Sequence, residues 1–387
     1  MRSQYKVLRE YLLHVDRWSK KWKLQFSVKK SGVVLFSHKR IPPKPPDPPL
    51  RLAGRRLPRC SKYKYLGHTL KQDLGYQLHY GVVKQRTWLT AYHIGRVTNR
   101  HSPPSAPTIV RLVKAVLIPQ MTYGLALIPL TVEHTNHMTQ LMAAPLRRCL
   151  GLSRSCSAQR TLWEFGLYDV RTLHLKAILE FAMRSQRCLD KGVQLAGQLA
   201  ADCRDYVPTP SAKYCTPYPK LVSDALAQLG LQQLPEDRYE LKAALDKHAT
   251  AVWTATAKAS AVALKPALKP PTYLRVDTKP EVCIRARVRL GVALSFARLC
   301  QIKKKDTASC AFCGAEGTIE HMLMVCPKFH VDRSMCRLAL EALRPPLQLS
   351  FDLLRGVAPA NISDRQLKKS FPITAELLSA VSHVHFL

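Results

Sequence analysis

The chain contains 387 residues, of which 47% are hydrophobic, and its 60 Lys and Arg against 26 Asp and Glu give a formal net charge of +34. The length allows two or three domains, and the apolar content excludes a disordered protein. Because so large a charge repels itself in a folded chain, we expect a polyanionic partner, with nucleic acid ahead of an anionic membrane surface.

The sequence shows no targeting segment. Residues 1–18 contain no apolar core followed by small residues, so we expect no secretory signal. The longest uncharged run, residues 115–132, contains Pro119 and Pro129 and is typical of a buried helix and turn rather than a membrane span. We therefore expect a protein of the nucleus and/or cytoplasm, with reduced cysteines and no membrane partner.

The first part of the chain has a mixed pattern. Apolar residues at helical spacing predict a helix over residues 5–23. Short apolar runs predict two pairs of strands, over residues 24–28 with 32–37 and over residues 50–52 with 63–70. Between the pairs, the proline-rich residues 41–49 predict an extended linker.

From residue 77 onward the pattern is helical. The predicted helices cover residues 82–97, 108–118, 132–150, 163–182 (a short and a long helix), 221–229, 239–263, 281–300, 332–343, 349–355 and 364–384. Residues 206–220, rich in Pro and Tyr, predict a boundary. The fold class is therefore mostly α with a small N-terminal α+β part, in four regions: 1–75, 76–205, 206–280 and 281–387.

A cysteine and histidine cluster lies in the segment SCAFCGAEGTIEHMLMVCPK, residues 309–328. Cys310 and Cys313 are spaced to share one turn, and His321 and Cys326 can return from a helix to close a tetrahedron. Three thiolates and one imidazole form a complete structural zinc shell with no open position. The alternative is four scattered residues in a cysteine-rich chain. His330, Cys336 and, less so, Cys300 are substitute ligands.

A basic run precedes this cluster. Between Ile284 and Lys305 the sequence has no acidic residue and seven cations: Arg285, Arg287, Arg289, Arg298, Lys303, Lys304 and Lys305. Cations at this density give salt-sensitive, largely sequence-independent affinity for phosphates. The alternative is a solvated face, but the neighbouring metal motif favours contact with RNA or DNA.

No catalytic centre is evident from the residues. Nucleotidyl transfer needs paired carboxylates that hold two magnesium ions, and the chain contains no Asp-Asp pair. It also has no nucleophile elbow and no HExxH motif.

The order of the motifs resembles the reverse transcriptases of non-LTR (LINE-type) retrotransposons. A helix with Trp18, then Lys30-Ser31 and an apolar strand over residues 33–37, is similar to the end of their palm. Tyr65-Leu66-Gly67 matches their Tyr-Leu-Gly turn, and residues 112–127 resemble their thumb helix. The cysteine and histidine cluster resembles their C-terminal zinc-binding domain. Ser31 departs from the usual Thr.

The resemblance implies a role for each region. Residues 1–75 would be a palm remnant, 76–205 a helical thumb, 206–280 a helical linker and 281–387 a zinc-binding C-terminal domain. Lys30, a remnant of the catalytic region, would lie near the phosphates of the incoming nucleotide. Tyr65, Leu66 and Gly67 would position the primer terminus, and the zinc region would bind RNA or target DNA.

Three functions follow as hypotheses. The first is a truncated retrotransposon reverse transcriptase, inactive alone because its catalytic Asp pair would precede Met1, and binding Mg2+ only when that region is supplied. The second is a stand-alone or domesticated zinc-containing protein that binds RNA or DNA. The third is an interaction scaffold stapled by zinc. The oligomeric state is left open.

Overall fold

The computed structural model describes residues 2–27, 30–36, 49–97, 104–154, 156–190, 198–199, 201–203, 217–258, 268–357 and 362–383. The strands are β1 (Arg51–Leu52), β2 (Arg55–Arg56), β3 (Lys62–Tyr65) and β4 (His68–Lys71). The first helices are α1 (Arg2–Lys21), α2 (Gln77–Val97), α3 (Ala106–Leu112), α4 (Ile118–Thr122), α5 (Val132–Cys149), α6 (Ala158–Glu164), α7 (Val170–Asp190), α8 (Tyr218–Leu229) and α9 (Arg238–Lys258). They are followed by α10 (Tyr273–Val276), α11 (Lys279–Arg289), α12 (Phe296–Gln301), α13 (Ile319–Met324), α14 (His330–Glu341), α15 (Phe351–Leu354) and α16 (Asp364–His383).

The protein is mostly helical with two small hairpins, as the sequence indicates. Its residues group into two compact units, one within 1–84 and 206–220 and the other within 85–205 and 221–387. The second unit therefore contains most of the helical region predicted over 76–205 and all of the described part of the predicted region 281–387.

In the first unit the second predicted strand pair is in fact two separate hairpins. Strands β3 and β4 pair with each other, and Leu66-Gly67 forms the turn between them with φ angles of 47° and 86°. Strands β1 and β2 pair across Ala53-Gly54, with φ angles of 50° and 73°. Two consecutive positive φ angles are characteristic of the type I′ turn, whose twist suits a two-residue hairpin.

The first predicted strand pair is wrong for the described residues of those segments, 24–27 and 32–36. Val33 forms one isolated parallel bridge to Arg59, through hydrogen bonds with Pro58 and Cys60. A strand needs a row of backbone partners, and this neighbouring segment supplies only one. The predicted linker, residues 41–49, lies outside the described residues except for its last proline.

The second unit contains one long apolar helical stretch, residues 106–127. Among the described helices it alone is long and apolar enough to cross a membrane, a test that the core helix of a soluble protein also passes. Ile109, Val113, Leu117 and Met121 are fully buried at a spacing of four, so one face of this stretch packs in the core. A π-helical turn over Val113–Leu117 precedes Pro119, which cannot donate the hydrogen bond that a regular helix needs there.

The helix predicted over 281–300 is two helices, α11 and α12. Gly291 follows α11 with a φ of 67°. The backbone N–H of Val292 donates to the carbonyl of Arg287, and that of Gly291 donates to Val288. This is the Schellman arrangement, which ends a helix at a residue that accepts the left-handed conformation.

Two arginines of α11 form the charged centre of the second unit. Arg289 donates from Nε to Glu164 Oε1 at 2.7 Å, and the hydroxyl of Tyr273 donates to the same oxygen at 2.7 Å. Both side chains of the ion pair are at most 5% exposed. The pair thus joins α6 to α11, and burial together with Glu164 raises the pKa of Tyr273 well above its usual value.

Arg285 lies one turn before Arg289 and is completely buried. Its Nε donates to Asp277 Oδ2 at 2.7 Å, and its terminal nitrogens donate to the carbonyls of Leu354 and Phe371. The hydroxyl of Thr374 lies 3.2 Å from both terminal nitrogens. One guanidinium therefore holds together the residues before α11, the end of α15 and the middle of α16.

We expect Arg289→Met to lower the free energy of unfolding by about 3–5 kcal/mol, because it leaves the Glu164 carboxylate buried without a cation. Urea denaturation followed by circular dichroism measures this. Arg337→Met, at an exposed arginine of α14, is the matched control and should cost about 0.5 kcal/mol or less. Equal losses in the two variants would contradict a structural role for the buried pair.

Candidate metal centre

The structure brings the four predicted ligands together. One ligand atom from each of Cys310, Cys313, His321 and Cys326 lies within 4.8 Å of the other three. The sulfurs of Cys310 and Cys326 are 3.7 Å apart, and Nε2 of His321 lies 3.1 Å from the sulfur of Cys313. Among the residues that the structure describes, no other group of three or more Cys, His, Asp or Glu side chains is arranged in this way.

A tight turn over residues 310–315, called the cysteine turn below, presents the first two ligands. The N–H of Gly314 donates to the carbonyl of Cys310, and the N–H of Cys310 donates to Ala315. Gly314 has a φ of 73°, a conformation that favours glycine. Gly317 is needed for space, because a Cβ there would lie 2.5 Å from the Cβ of Phe296 and 2.8 Å from the carbonyl oxygen of Ala308.

Helix α13 and the turn after it present the other two ligands. Thr318 caps the helix by accepting a hydrogen bond from the N–H of His321, and the N–H of Cys326 donates to the carbonyl of His321. Arg333, which no motif in the sequence indicates, lies in α14 and is buried. Its guanidinium donates to the carbonyls of Met322, Val325 and Cys326, which fixes the end of the ligand-bearing turn.

Three aromatic rings support the centre. The ring of Phe312, between the first two cysteines, lies edge-on to Phe296 at 5.9 Å and to Phe329 at 6.1 Å between centroids. Phe296 comes from α12, and Phe329 lies just after Cys326. The rings therefore tie the cysteine turn to the helices on both sides of it, and edge-to-face pairs of this kind are favourable.

The donor set fits a zinc ion. Two thiolates bound tetrahedrally at about 2.3 Å from zinc lie about 3.8 Å apart, and the Cys310–Cys326 sulfur separation of 3.7 Å matches this edge. A disulfide would require about 2 Å between the sulfurs. The four ligands would fill the shell, so a zinc ion held here would be structural and would leave no position for a reacting water.

The protein environment moves the pKa values of two of these thiols in opposite directions. Burial, followed by the neighbouring Cys310, raises the pKa of Cys326 to about 11. Burial alone would also raise the pKa of Cys310, but hydrogen bonds with the Phe312 backbone and with the other cysteine side chains lower it. Because a metal binds thiolates, zinc would release the Cys326 proton.

The substitute ligands lie outside this cluster. Cys336 is buried with its sulfur 3.9 Å from the carbonyl of Ile373, and the thiol of Cys300 faces the carbonyl of Asp306. His330 is exposed at the start of α14. The candidate metal centre therefore consists of Cys310, Cys313, His321 and Cys326.

The basic run divides into buried and exposed parts. Arg285 and Arg289 were predicted to contact nucleic acid, but they are buried and paired with Asp277 and Glu164, so they serve the core. They do face the same side of α11, as their spacing predicts, but that side faces inward. Their acidic partners lie 8 and 125 residues away in the sequence, outside the acid-free run.

The other cations of the run reach the surface. Arg287 and Arg298 are half-buried and donate to Gly151 and Gln301. Lys303, Lys304 and Lys305 are exposed in the turn between α12 and the cysteine turn. The ammonium of Lys305 lies 4.6 Å from the centre of the Phe296 ring, so this lysine turn borders the metal centre.

In the first unit, the residues predicted to act with nucleotide and primer lie near one another. Tyr65 and Leu66 are exposed at the tip of the β3–β4 hairpin, next to Gly67. The hydroxyl of Tyr63, in the same hairpin, donates to the carbonyl of Lys30. The Lys30 turn is therefore held against this hairpin.

One comparison relates the chain to known proteins. Over 145 residues it is 27% identical to the RNA-directed DNA polymerase from mobile element jockey of Drosophila melanogaster, a segment that covers 37% of this chain and 15% of that protein. No family model matches the chain, and no solved structure matches it. The similarity is distant and partial, and it supports a relation to retrotransposon reverse transcriptases.

We predict one tightly bound zinc per chain. Cys310→Ser and His321→Ala should each remove most of the metal, because each leaves an incomplete shell. Metal analysis of the purified protein measures the content, and Cys300→Ser is the matched control, since its thiol lies outside the cluster. Full zinc content in both ligand variants would refute the assignment.

Proposed function

We propose that this chain is the nucleic-acid-binding part of a retrotransposon reverse transcriptase, with a structural zinc centre in its C-terminal region. The observation that carries the proposal is the cysteine and histidine cluster bordered by exposed lysines, in a chain of net charge +34 that is distantly similar to a mobile-element polymerase. Phosphates are the partner that such a surface neutralises.

Each region would have its own role in holding the nucleic acid. The first unit, with Lys30 beside the hairpin of Tyr65, Leu66 and Gly67, would be the end of a palm that positions the primer terminus. The helices over residues 76–205 would form a thumb that closes over a template–primer duplex. The zinc centre with Arg298 and the lysine turn would hold RNA or target DNA.

Catalysis would need another segment. Two-metal nucleotidyl transfer uses carboxylates to hold Mg2+, and this sequence contains no Asp-Asp pair. The proposal therefore assigns magnesium binding to a partner segment that supplies the acids. The lack of an Asp-Asp pair also favours a second candidate function, a stand-alone zinc-containing RNA- or DNA-binding protein without a polymerase role.

We expect salt-sensitive binding to duplex DNA and structured RNA, because binding releases counterions from the phosphates. Replacing Lys303, Lys304 and Lys305 with Gln should weaken binding and reduce the slope of log affinity against log salt by about 2–3. Fluorescence anisotropy over a salt series measures both quantities.

The matched control removes the same charge elsewhere. It uses three lysines that each form an ion pair with an acid one helical turn away, namely Lys176, Lys242 and Lys368. Replacing all three with Gln should change affinity and slope less than the lysine-turn variant does. An affinity of the wild-type protein that stays constant from low to moderate salt would contradict the proposed function.

We also predict that this chain alone does not extend a primer, since it contains no Asp-Asp pair to hold the two magnesium ions. A template–primer assay with Mg2+ and deoxynucleotides tests this, with an active reverse transcriptase as positive control. Template-dependent incorporation by the pure protein would overturn the prediction and would place the catalytic carboxylates within this chain.

A further inference from the structure

Two stacked aromatic side chains lie exposed on helix α2, which contains none of the candidate metal ligands. Trp88 is 52% exposed and Tyr92 is 44% exposed. Their ring centroids are 5.8 Å apart and the ring planes differ by 13°. Scattered exposed rings are common, but exposed apolar side chains that adjoin one another are typical of a binding surface.

An arginine continues the row. Arg96, one turn after Tyr92, is exposed and places its guanidinium 5.9 Å from the centre of the Tyr92 ring. Trp88, Tyr92 and Arg96 thus follow one another at a spacing of four on one face of the helix, over about 12 Å. A cation over a ring face and a neighbouring stacked ring form a flat, positively charged surface.

A second helix adds charge at the end of this row. A Cβ placed on Gly95 would lie 3.0 Å from Nη1 of Arg148, so the Arg148 side chain lies over this glycine, next to Arg96. Arg148 belongs to the last turn of α5 and is exposed. The carbonyl of Gly151, just after α5, accepts a hydrogen bond from Arg287 at 3.1 Å, which brings a third arginine to the end of α5.

Acidic residues are nearly absent from this part of the sequence. Between Asp73 and Glu164 the only acid is Glu133. The arginines beside the ring pair therefore have few carboxylates nearby in the sequence to neutralise them. The charge of the surface suits a polyanion, and the ring pair suits a partner with flat faces.

The orientation of the helix is fixed by its opposite face. Thr87, Ala91 and Ile94 are buried. The hydroxyl of Thr90 donates to Oε1 of Gln120 in α4 at 2.5 Å. Because this face is packed, the Trp88–Tyr92 face is held outward and is preorganised for a ligand.

We propose that the surface of Trp88, Tyr92, Arg96 and Arg148 binds single-stranded nucleic acid, with unpaired bases stacked on the two rings and the phosphates on the arginines. The inference rests on the proposed nucleic-acid-binding function and adds the site and the strandedness of the ligand. Bases in a duplex are already stacked on each other, so their faces are closed to the rings. A single strand offers both free base faces and phosphates.

The experiment compares variants of the full chain by fluorescence anisotropy with a labelled oligothymidylate of about 12 nucleotides and with a duplex of equal length. Trp88→Ala and Tyr92→Ala should each weaken single-strand binding about tenfold, since each removes a stacking surface. Trp88→Phe should stay within about threefold of wild type, because a ring remains. Tyr239→Ala, at an exposed aromatic residue of α9 outside this surface, is the matched control and should have no effect.

The contribution of Arg96 to phosphate binding is tested separately. Arg96→Gln should reduce the salt slope of single-strand binding by about 1. Circular dichroism verifies that each variant is folded, and the two separate ring variants keep the test valid if one of them is not.

Each outcome decides the inference. If wild type and Trp88→Ala bind the single strand equally well, and all the proteins bind the duplex, the stacking surface is refuted. The proposed nucleic-acid-binding function is then still supported. Wild-type protein that binds neither ligand at low salt overturns both. A Trp88→Ala variant with unchanged single-strand affinity and an altered sedimentation coefficient would identify the ring pair as a protein contact and also overturn the inference.

Discussion

The second unit depends on two guanidinium groups buried in its interior. Arg289 joins α6 to α11 through Glu164, and Arg285 joins Asp277 to the end of α15 and the middle of α16. A buried cation costs several kcal/mol unless its hydrogen bonds are satisfied, so these partners are required to be in place together. The metal centre is connected to this arrangement, because α13, which carries His321, adjoins α16, and α16 also adjoins α11.

This use of arginine changes how the positive charge of the chain is to be understood. Two arginines of the basic run are internal and each is compensated by one acid, while Lys303, Lys304 and Lys305 are exposed beside the metal centre. The Schellman turn at Gly291 separates the buried Arg285 and Arg289 from Arg298 and the lysine turn, because it ends α11 and lets α12 take a new direction. One continuous basic stretch therefore supplies both the core and a surface.

The sequence predicted that the four Cys and His side chains come together because their spacing is local and their chemistry is specific, and it predicted most helices because burial repeats with the helical period. It failed for Arg285 and Arg289 because their charge partners lie outside the run that contains them. It failed for the described residues of the strands predicted over 24–28 and 32–37, because strand pairing depends on a distant segment, and Val33 forms one bridge with that segment. The exposure of the Trp88–Tyr92 pair cannot be predicted from the sequence either, because it depends on which elements pack against α2.

The metal centre and the buried ion pair differ greatly in how far apart their members lie in the chain. Cys310 and Cys326 are separated by 16 residues, whereas Glu164 and Arg289 are separated by 125. Closing a short loop takes less conformational entropy, and local contacts form sooner during folding than distant ones. We therefore expect the cysteine turn to close early in folding, whereas the junction of α6 and α11 forms only after residues far apart in the chain have met.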